Sequence, residues 1–486
     1  MIPVLTSEQI RLQDQLTIES EPISSLDLME RAARVLSDAL TSYMSFDTAL
    51  IFCGPGNNGG DGLAMARMLS EAGKTIRVCI PTSNSSKDFQ ANLDRLPSTV
   101  ERVDFNSIVP EGELIIDAIF GTGLSREVDG IYKDWISWIN TQACKVVAVD
   151  MPSGMPDTPQ WALAIENCIS AEKVLTLQFP KLSLLLPYCD GFAESIEILD
   201  IGLKEFEGQS NFQFVESSDI SSLLKHRKRF THKYKEGSAL LVGGSKGKTG
   251  SIVLASEAAF RAGAGLVNAH VPSCVLSGLQ QYLPEVMYSV SGENILLSFP
   301  SDVNKVSAIG IGPGLGLEKE LTVVLNSAMN ADIPLVMDAD ALRLLSEHSL
   351  FHELPNGCIL TPHEGEFKAM VGPWQDESEK LGKLMNFSNQ YNVVTILKGA
   401  YTLICDGNNI FFNSSGHPAM ATAGSGDVLL GILTSLLAQS YKPLSAALAG
   451  VYLHGFAAEI FLKNNKSATL MASDISKSLG SAMALI

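Results

Sequence analysis

The stretch ALIFCGPGNNGGDGLAMARML, residues 49–69, decides the fold of the first half of the chain. Residues 49–53 are an apolar run that predicts a buried strand. A glycine-rich loop follows at residues 54–62, and apolar residues at helical spacing continue to Leu69. A strand, a glycine-rich turn and a helix in this order are typical of the β/α unit of a parallel sheet.

The same alternation continues on both sides of this stretch. Upstream, Ser24 and Asp27 have the spacing of a helix capping box. Downstream, Gly73 marks a helix end, and further apolar runs predict strands at residues 75–80, 113–120, 145–150 and 173–179. Because these runs are almost continuously apolar, we expect a parallel sheet covered by helices on both faces.

The second half of the chain is a separate β/α series. Strand-like runs occur at residues 239–244, 307–314, 334–340, 358–366 and 393–404, and the part that follows Gly426 is helical. Residues 445–462 are strongly apolar but contain His454 and Glu459, so we interpret them as a buried helix rather than a membrane span. The boundary between the halves is predicted between about residues 203 and 235, and we interpret the basic cluster at residues 225–229 as a solvated linker face.

The composition limits the classes of partner. The 486 residues include 35 Lys+Arg and 53 Asp+Glu, which gives a net charge of −18, and 46% of them are hydrophobic. This is a globular balance, and the acidic excess disfavours nucleic acid and anionic membranes as partners. The first ten residues lack the features of a signal peptide, and the eight cysteines form no C-x-x-C pair. We therefore expect reduced thiols in a cytoplasm.

Three polar motifs of the first half each follow a predicted strand: GPGNNGGDG (54–62), DAIFGTG (117–123) and VDMPSG (149–154). Since strand ends of a parallel sheet share one edge, these motifs should converge. The first contains G-x-G-x-x-G, but no acid ends the next strand, which disfavours an NAD-dependent dehydrogenase. Oxygen-bearing side chains suit Mg²⁺, Ca²⁺ or an alkali cation rather than zinc, and the residues that offer them are Asn58, Asp117, Asp150 and Ser153. Alternatively, each strand-end Asp only caps a loop, and Asp61 only caps a helix.

The second half contains one misleading motif and one more specific motif. GGSKGKT (243–249) looks like a P-loop, but the required first glycine is replaced by Val242, so a glycine-rich turn remains. AGSGDVLLG (423–431) places Asp427 at the start of an apolar helix, where backbone N–H groups bind anions and a carboxylate can take a proton from a hydroxyl. Alternatively, Asp427 only stabilises the helix dipole. His363 is interpretable as a packing or capping residue, and Lys398 can meet a phosphate.

Taken together, the motifs resemble one family over nearly the whole chain. In the first half they are GPGNNGGDGL, DAIFGTGL and VDMPSG; in the second half they are LLVGGS, FRAGAGLV, GIGPGLG, MDADAL, LTPHEGEF, LKGAYTLI and GSGDVLLG. The chain resembles the bifunctional NAD(P)H-hydrate repair enzymes, in which a YjeF-type epimerase is fused to a ribokinase-like dehydratase. The resemblance implies an α/β protein with an N-terminal Rossmann-like three-layer β/α domain (1–210) and a C-terminal ribokinase-like β/α domain (225–486).

The resemblance also implies the reaction. The first domain would interconvert the R and S forms of a nicotinamide cofactor hydrated at C6 of its reduced ring. The second would dehydrate the S form while converting ADP to AMP and phosphate. K⁺ at the epimerase site, Mg²⁺ with ADP at the dehydratase site, a cytoplasmic location and a homo-oligomer of four or more chains are implied in the same way.

Site residues carried over by position form four sets. Asp150 would be the acid/base group of the epimerase and Asp427 that of the dehydratase. K⁺ would be held by Asn58, Asp117 and Ser153. The epimerase substrate would contact Asp150 together with Asn57, Asn58, Gly59, Gly60, Asp61, Gly121, Thr122, Gly123, Leu124, Ser125, Arg126 and Glu127. In the dehydratase, Ala264, Gly314, His363 and Asp427 would contact the hydrate, and the nucleotide would contact Lys398, Gly399, Ala400, Tyr401, Thr402 and Gly426.

Two departures and two alternatives stay open at this stage. The chain has Ala423 where the family usually has Gly, and Thr361 where it commonly has Asn; Ala423 is a small change unless that position needs a positive φ. A small-molecule kinase of the ribokinase type would share the start of the Asp427 helix. The N-terminal half could also be a binding module without catalysis.

Overall fold

The computed structural model describes residues 1–81, 85–106, 112–124, 126–156 and 167–486. The chain divides into two compact units. The N-terminal unit is built from Ile2–Ser210, and the C-terminal unit from Asn211–Gln375 and Glu379–Ile486.

The N-terminal unit alternates strands and helices. Its strands are β1 (Ile2–Pro3), β2 (Thr48–Cys53), β3 (Thr75–Cys79), β4 (Glu101–Arg102), β5 (Leu114–Ala118), β6 (Val146–Val149), β7 (Ala171–Leu177) and β8 (Ala193–Leu199). Its helices are α1 (Ser7–Ser20), α2 (Ser25–Tyr43), α3 (Asn57–Glu71), α4 (Lys87–Asp94) and α5 (Gly130–Asn140). Ser24 and Asp27 form the predicted capping box of α2.

The sheet of this unit is parallel, as predicted. Within the described residues, seven strands are ordered β4-β3-β2-β5-β6-β7-β8, and every printed pair is parallel. Alternate residues of β2 enter two different apolar cores: Ile51 packs with α2 and α3, whereas Phe52 packs with Trp135 of α5. Helices thus cover both faces of the sheet, and the predicted Rossmann-like arrangement is confirmed.

The loop after β2 is shorter than the sequence predicts, because part of the glycine-rich segment is helical. Helix α3 begins at Asn57, with Gly56 as its N-cap. A Cβ on Gly59 would lie 1.8 Å from the carbonyl oxygen of Gly54, so only glycine allows the helix to approach the loop this closely. The interpretation of Asp61 as a helix cap is wrong, because it lies inside the first turns of α3.

The C-terminal unit is larger. Its strands are β9 (Phe212–Val215), β10 (Ser238–Val242), β11 (Leu266–Val271), β12 (Met287–Val290), β13 (Ala308–Ile311), β14 (Leu335–Met337), β15 (Ile359–Leu360), β16 (Val394–Leu397), β17 (Leu403–Cys405) and β18 (Ile410–Asn413). Its helices are α6 (Ser217–Leu223), α7 (Thr249–Arg261), α8 (Leu276–Tyr282), α9 (Thr322–Met329), α10 (Asp340–Glu347), α11 (Glu364–Val371), α12 (Glu377–Tyr391), α13 (Ser425–Ala438), α14 (Pro443–Asn465) and α15 (Ala472–Leu485).

The strands of this unit are ordered β9-β18-β17-β16-β15-β14-β13-β10-β11-β12. From β16 to β12 the pairing is parallel, but β16, β17 and β18 pair antiparallel. The expectation of one strand over residues 393–404 is therefore wrong. The turn at residues 398–402 reverses the chain there, which two apolar runs separated by KGAYT do not reveal by periodicity alone.

The core of this unit lies between the sheet and helices α7, α13, α14 and α15. A Cβ on Gly431 of α13 would lie 2.1 Å from the carbonyl oxygen of Ala255 of α7, so these two helices touch along their backbones. Helix α14 is long and apolar enough to cross a membrane by composition, but 72% of its apolar window is buried in the protein. The prediction of a buried helix there is confirmed.

The basic cluster at residues 225–229 is exposed, as the linker interpretation predicts. Two of its members also bind backbone carbonyls. Lys225 Nζ donates to the carbonyl oxygens of Gln439 and Ser440, and Arg227 donates to that of Gly263. Because Gln439 is the C-cap of α13, Lys225 places a positive charge at the negative end of that helix dipole.

Candidate active sites

In the N-terminal unit, three side chains from two of the motifs, DAIFGTG and VDMPSG, hold the loop that follows β5. The N–H of Ile119 donates to Asp117 (3.1 Å), and the N–H of Phe120 donates to the Ser153 hydroxyl (2.8 Å). The N–H of Thr122 donates to Asp150 Oδ2 (3.2 Å). The strand-end motifs that the sequence predicts to converge do so on this loop.

Gly121 lies at the centre of this convergence. A Cβ at this position would be 2.9 Å from Asp150 Oδ2 and 3.2 Å from Asn58 Oδ1. These two side-chain oxygens therefore face the same small space beside the loop backbone. Asn58 Nδ2 is buried and finds no hydrogen-bond partner among the residues that the structure describes, so this amide has an unused donor there.

Asp150 is held in an uncommon conformation. Its φ is +67°, a region that residues other than glycine rarely adopt. Its Oδ1 accepts hydrogen bonds from Lys181 Nζ and from the N–H of Leu177 (3.3 Å). Lys181 is only 3% exposed and also donates to the carbonyl oxygen of Leu177 (2.8 Å). A buried lysine thus fixes the orientation of this carboxylate and supplies its counter-charge.

The charge of Asp150 also affects two further carboxyl groups, those of Asp14 and Asp61. Burial, and then the negative charge of Asp150, raise the pKa of Asp14 to about 6, while Lys181 opposes the rise. Burial raises the pKa of Asp61 well above its usual range, and Asp150 and Asp14 add to the effect. The unit therefore places two carboxyl groups of raised proton affinity within the electrostatic influence of Asp150.

The oxygen atoms near the loop suit an alkali cation. Burial raises the pKa of Asp117 to about 6, although hydrogen bonds from Ser153 and Ile119 lower it. Asp117 is 0% exposed, and a cation would offset the cost of its buried charge. Among the described residues, no group of three or more His, Cys, Asp or Glu side chains could hold a metal ion. A site here would rest on amide, carboxylate and hydroxyl oxygens, a donor set that fits K⁺.

The remaining candidates of this unit are placed as follows. Gly59 and Gly60 are buried in the first turn of α3, and Asn57 is exposed at its start. Thr122, Gly123 and Leu124 continue the loop, and a Cβ on Gly123 would be 2.6 Å from the Arg11 guanidinium. Arg126 and Glu127 are exposed, and Ser125 lies outside the described residues.

In the C-terminal unit, two acidic residues follow β14 and use different lysines. Lys398 Nζ donates to Asp338 Oδ1, and Lys248 Nζ donates to Asp340 Oδ2, each at 2.8 Å. Between the two acids, Ala339 has φ +50° and ψ −122°, an unfavourable conformation for alanine. This strained residue separates two acid–lysine pairs at the carboxyl edge of the sheet.

Asp427 lies in the first turn of α13, beyond Gly424, whose φ is +89°. Ala423 has no positive φ, so the departure from glycine at that position causes no backbone strain. Burial, followed by the charge of Asp338, raises the pKa of Asp427 to about 6, while a hydrogen bond from Ser251 of α7 and the charge of Lys398 lower it. At neutral pH this carboxylate is ionised and has an increased affinity for a proton.

The candidate nucleotide residues surround the same helix start. A Cβ on Gly426 would be 3.3 Å from Asp338 Oδ2 and 3.5 Å from Lys398 Nζ. Gly399, Ala400, Tyr401 and Thr402 form the turn between β16 and β17, which a hydrogen bond from the Thr402 hydroxyl to the Gly399 carbonyl closes at 3.0 Å. Gly426, Lys398 and this turn are therefore neighbours at one sheet edge.

His363 lies on the adjacent strand end. It pairs with Lys398 through the backbone and caps α11, where its Nδ1 accepts the N–H of Gly365 at 3.0 Å. Its side chain is 59% exposed. The capping interpretation thus holds for Nδ1, while Nε2 lies 3.3 Å from Glu366 Oε1. Thr361, one of the two departures, is 1% exposed and has its hydroxyl near the carbonyl of Met337.

Of the two remaining candidates for contact with the hydrate, Gly314 lies at the site and Ala264 does not. Gly314 has φ +58°, and a Cβ there would be 2.8 Å from Lys248, so it belongs to the site. Ala264 follows the C-terminal end of α7, where Gln439, the C-cap of α13, donates to the carbonyl oxygen of Ala262 (3.0 Å). Because α13 begins at the site and ends beside Ala264, the structure does not bring Ala264 together with Asp427.

Six residues around the candidate acids were not predicted as site residues from the sequence. They are Asp14, Lys181, Lys248, Ser251, Asp338 and Asp340. The motifs MDADAL and GGSKGKT contain three of them and follow strands β14 and β10, so their position at the carboxyl edge was a usable signal. Asp14 and Lys181 lie in no motif, and only the tertiary structure reveals them.

Fold and sites together define a class: a two-unit α/β enzyme whose C-terminal unit is ribokinase-like. That unit resembles a ribokinase-like superfamily protein from Enterococcus faecalis, with a TM-score of 0.51 and 25% identity over 58% of this chain and 99% of the other. It also resembles an ADP/ATP-dependent NAD(P)H-hydrate dehydratase from Bacillus subtilis, with a TM-score of 0.50 and 28% identity over 56% of this chain and 98% of the other.

Sequence comparison gives the particular family. A model described as NAD(P)H-hydrate dehydratase matches residues 239–480, and one described as YjeF-related protein N-terminus matches residues 25–183. A bifunctional NAD(P)H-hydrate repair enzyme of Moorella thermoacetica is 32% identical over 97% of this chain and 95% of its own length. The chain belongs to the family of bifunctional NAD(P)H-hydrate repair enzymes.

Proposed function

We propose that this chain repairs hydrated nicotinamide cofactors in the cytoplasm. Residues 1–210 interconvert the R and S hydrates of NAD(P)H, and residues 225–486 dehydrate the S form to NAD(P)H while ADP is converted to AMP and phosphate. One observation carries the proposal. The chain belongs to this family over nearly its full length, and each of its two units has a carboxylate beside a lysine at the carboxyl edge of its own sheet. The carboxylate is Asp150 in the first unit and Asp427 in the second.

In the epimerase, Asp150 is the acid/base group. Lys181 holds Oδ1, which leaves Oδ2 directed toward the loop at Gly121 and Thr122. Asp61 and Asp14, whose pKa values are raised, supply carboxyl groups that hold a proton more strongly. The substrate contacts proposed from the sequence are Asn57, Asn58, Gly59, Gly60, Gly121, Thr122, Gly123, Leu124, Ser125, Arg126 and Glu127.

We assign the cation site of the epimerase to Asn58, Asp117 and Ser153. K⁺ would supply positive charge near the buried Asp117 carboxylate and would fix the loop that follows β5. Supporting this assignment, Asp117 and Ser153 bind the backbone of that loop, and Asn58 Oδ1 lies beside Gly121.

In the dehydratase, Asp427 removes the proton of the C6 hydroxyl while that oxygen attacks the terminal phosphoryl group of ADP, so AMP leaves. Loss of phosphate from C6 and of a proton from C5, assisted by the ring nitrogen, then restores the dihydropyridine. The backbone amides at Gly426 and the ammonium of Lys398 stabilise the phosphoryl charge. Gly314 and His363 contact the hydrate, and Gly399, Ala400, Tyr401 and Thr402 contact the nucleotide.

Mg²⁺ is proposed to enter with the nucleotide and to neutralise its phosphates. The dehydratase from Bacillus subtilis, which resembles this unit, was co-crystallised with ATP/Mg²⁺. Protein sites for Mg²⁺ in such reactions commonly use one or two carboxylates plus the phosphates and water. Asp338 and Asp427, which act on each other electrostatically, are such carboxylates.

A homo-oligomer of four or more chains is part of the proposal. The edge strand β12 supports it, because its large apolar side chains Met287, Tyr288 and Val290 are each more than 40% exposed. Light scattering of the purified protein tests this; a monomer at micromolar concentration would contradict it.

One assay tests the function. Chemically prepared R and S hydrates are added to the protein with ADP or ATP, with and without K⁺, and the recovery of dihydronicotinamide absorbance is followed. We expect full recovery of both epimers with ADP and Mg²⁺, and rapid recovery of only the S form from an Asp150→Ala variant. Phosphorylation of vitamin or sugar alcohols without any reaction of the hydrate would instead indicate a small-molecule kinase. R/S exchange at the native rate in Asp150→Ala would remove Asp150 from the mechanism and reopen the binding-module interpretation.

A further inference from the structure

Lys248 is the most informative group that the proposed mechanism does not use. It belongs to GGSKGKT, the segment that fails as a P-loop, and it is the N-cap of α7. Its Cβ and carbonyl oxygen would each lie 2.8 Å from a Cβ on Gly314. One turn further along α7, Ser251 contacts Asp427. Lys248 therefore lies within the dehydratase site, on the side of Gly314.

The Lys248 ammonium makes one ion pair within the protein and keeps hydrogen-bond donors available for a ligand. Its Nζ donates to Asp340 Oδ2 at 2.8 Å, and Asp340 is the only partner of this ammonium that the described residues provide. The lysine side chain is 48% exposed, whereas that of Asp340 is 10% exposed. An ammonium has three donors, so donors remain for a ligand. The N–H of Gly316 also binds Asp340 Oδ2 at 2.9 Å, which keeps the carboxylate in place independently of the lysine.

The charges of the site show why such a group is needed. Asp338, Asp340 and Asp427 are close enough to affect each other electrostatically, and the chain carries a net charge of −18. The proposed reaction brings two phosphate-bearing molecules, the nucleotide and the hydrated dinucleotide, into this acidic region. Each needs a positive group to offset the repulsion.

The two lysines are placed for two different anions. Lys398 pairs with Asp338 beside Gly426, where the nucleotide is proposed to bind. Lys248 pairs with Asp340 beside Gly314, where the hydrate is proposed to bind. The strained Ala339 keeps the two pairs apart.

We propose that Lys248 binds the diphosphate of the hydrated dinucleotide and thereby determines its affinity for the dehydratase site. This inference rests on the proposed function of the C-terminal domain. The diphosphate is common to both hydrates, so Lys248 contributes equally to the binding of NADHX and NADPHX. Asp340 is a positioning residue that holds the ammonium toward Gly314.

Steady-state kinetics of the full chain test the assignment. In Lys248→Met, we expect the KM for each S hydrate to rise about tenfold, the typical effect of losing one charge-assisted hydrogen bond. The KM for ADP and kcat should stay within about twofold, because Lys398 and Asp427 are untouched. Lys248→Arg should restore most of the affinity. The KM of the native enzyme should also rise more steeply with added salt than that of Lys248→Met.

A control variant and a double variant accompany Lys248→Met. Lys246→Met removes an exposed lysine two positions earlier, which within the described residues binds only through its backbone N–H, to the carbonyl oxygen of Asn294. It should leave both KM values unchanged. If Lys248→Met does not fold because Asp340 is left without a counter-charge, the double variant Lys248→Met/Asp340→Asn keeps the Gly316 hydrogen bond and gives the same measurement.

The outcomes separate the proposals. A rise in the KM for ADP instead of the hydrate, or a loss confined to NADPHX, would overturn the diphosphate assignment. Unchanged KM values in Lys248→Met would also overturn it and would leave the proposed function intact. Native protein that dehydrates neither hydrate with ADP or ATP would contradict the proposed function itself.

Discussion

Replacing Asp427 by Asn should slow dehydration strongly and, at neutral pH, make the C-terminal unit more stable. The two effects have one cause. Burial and the charge of Asp338 raise the pKa of Asp427 from 3.8 to about 6, which shows that the folded protein disfavours the ionised carboxylate. An amide of the same shape removes the unfavourable charge and still accepts the hydrogen bond from Ser251.

The size of the effect follows from the pKa. A tenfold change in proton affinity corresponds to about 1.4 kcal/mol, so the rise corresponds to about 3 kcal/mol. The folded-state pKa lies above the unfolded value, so protonation favours the folded state. Relative to Asn, the aspartate therefore destabilises the unit by about 3 kcal/mol above pH 6, by less between pH 6 and pH 4, and not at all below about pH 4.

Thermal unfolding of the full chain measures this. The transition of the C-terminal unit is identified as the one that ADP shifts upward. In Asp427→Asn at pH 7.5 we expect this transition to rise by about 6–12 °C, at about 2–4 °C per kcal/mol for a unit of this size. Near pH 4 the gain should disappear. The dehydration rate should fall by about 10²–10⁴, the usual contribution of a general base.

The control is Glu347→Gln, which removes an exposed carboxylate at the end of α10 in the same unit and should change neither quantity. An Asp427→Asn protein that is less stable than the native one at pH 7.5, or equally stabilised at both pH values, would refute the electrostatic reasoning. Dehydration at the native rate would refute the assignment of Asp427 as the base.

Three further predictions concern the same sites and their supports. The kcat of dehydration should fall about tenfold per pH unit below about pH 6, as Asp427 becomes protonated, and a pH profile that is flat to pH 5 would contradict this. Gly59→Ala should destabilise the N-terminal unit by at least about 2 kcal/mol, because its Cβ would lie 1.8 Å from a carbonyl oxygen, whereas Gly56→Ala, with open space around it, should be tolerated in the same urea titration. Arg77→Met should cost about 3–5 kcal/mol, since it leaves the 2% exposed Glu113 side chain without its counter-charge, and a loss below about 1 kcal/mol in urea would show that the pair contributes little.

Much of the architecture could be predicted from local pattern. Apolar runs ending in glycine-rich or acidic motifs identified the central strands, because residues buried on both faces of a parallel sheet must be apolar along their length. The exceptions arose where local pattern is ambiguous. The segment after β2 becomes helical at Asn57, where five glycines among nine residues conceal the start of the helix. The segment KGAYT reverses the chain between two apolar runs.

The sequence by itself determined which acids end strands or begin helices, and so it identified Asp150 and Asp427 as candidates. It could not determine what those acids meet. Lys181 reaches Asp150 across 31 residues, Lys398 reaches Asp338 across 60, and Lys248 reaches Asp340 across 92. The structure also separates Ala264 from Asp427. Ala264 follows the C-terminal end of α7, which lies beside the C-terminal end of α13, whereas Asp427 lies at the start of α13.

The physical reason is that strand and helix patterns depend on burial within one element, which neighbouring residues record. The proton affinity of a carboxyl group depends on the charges and the solvent around it. Those are supplied by segments that are distant along the chain and meet only when the sheet forms.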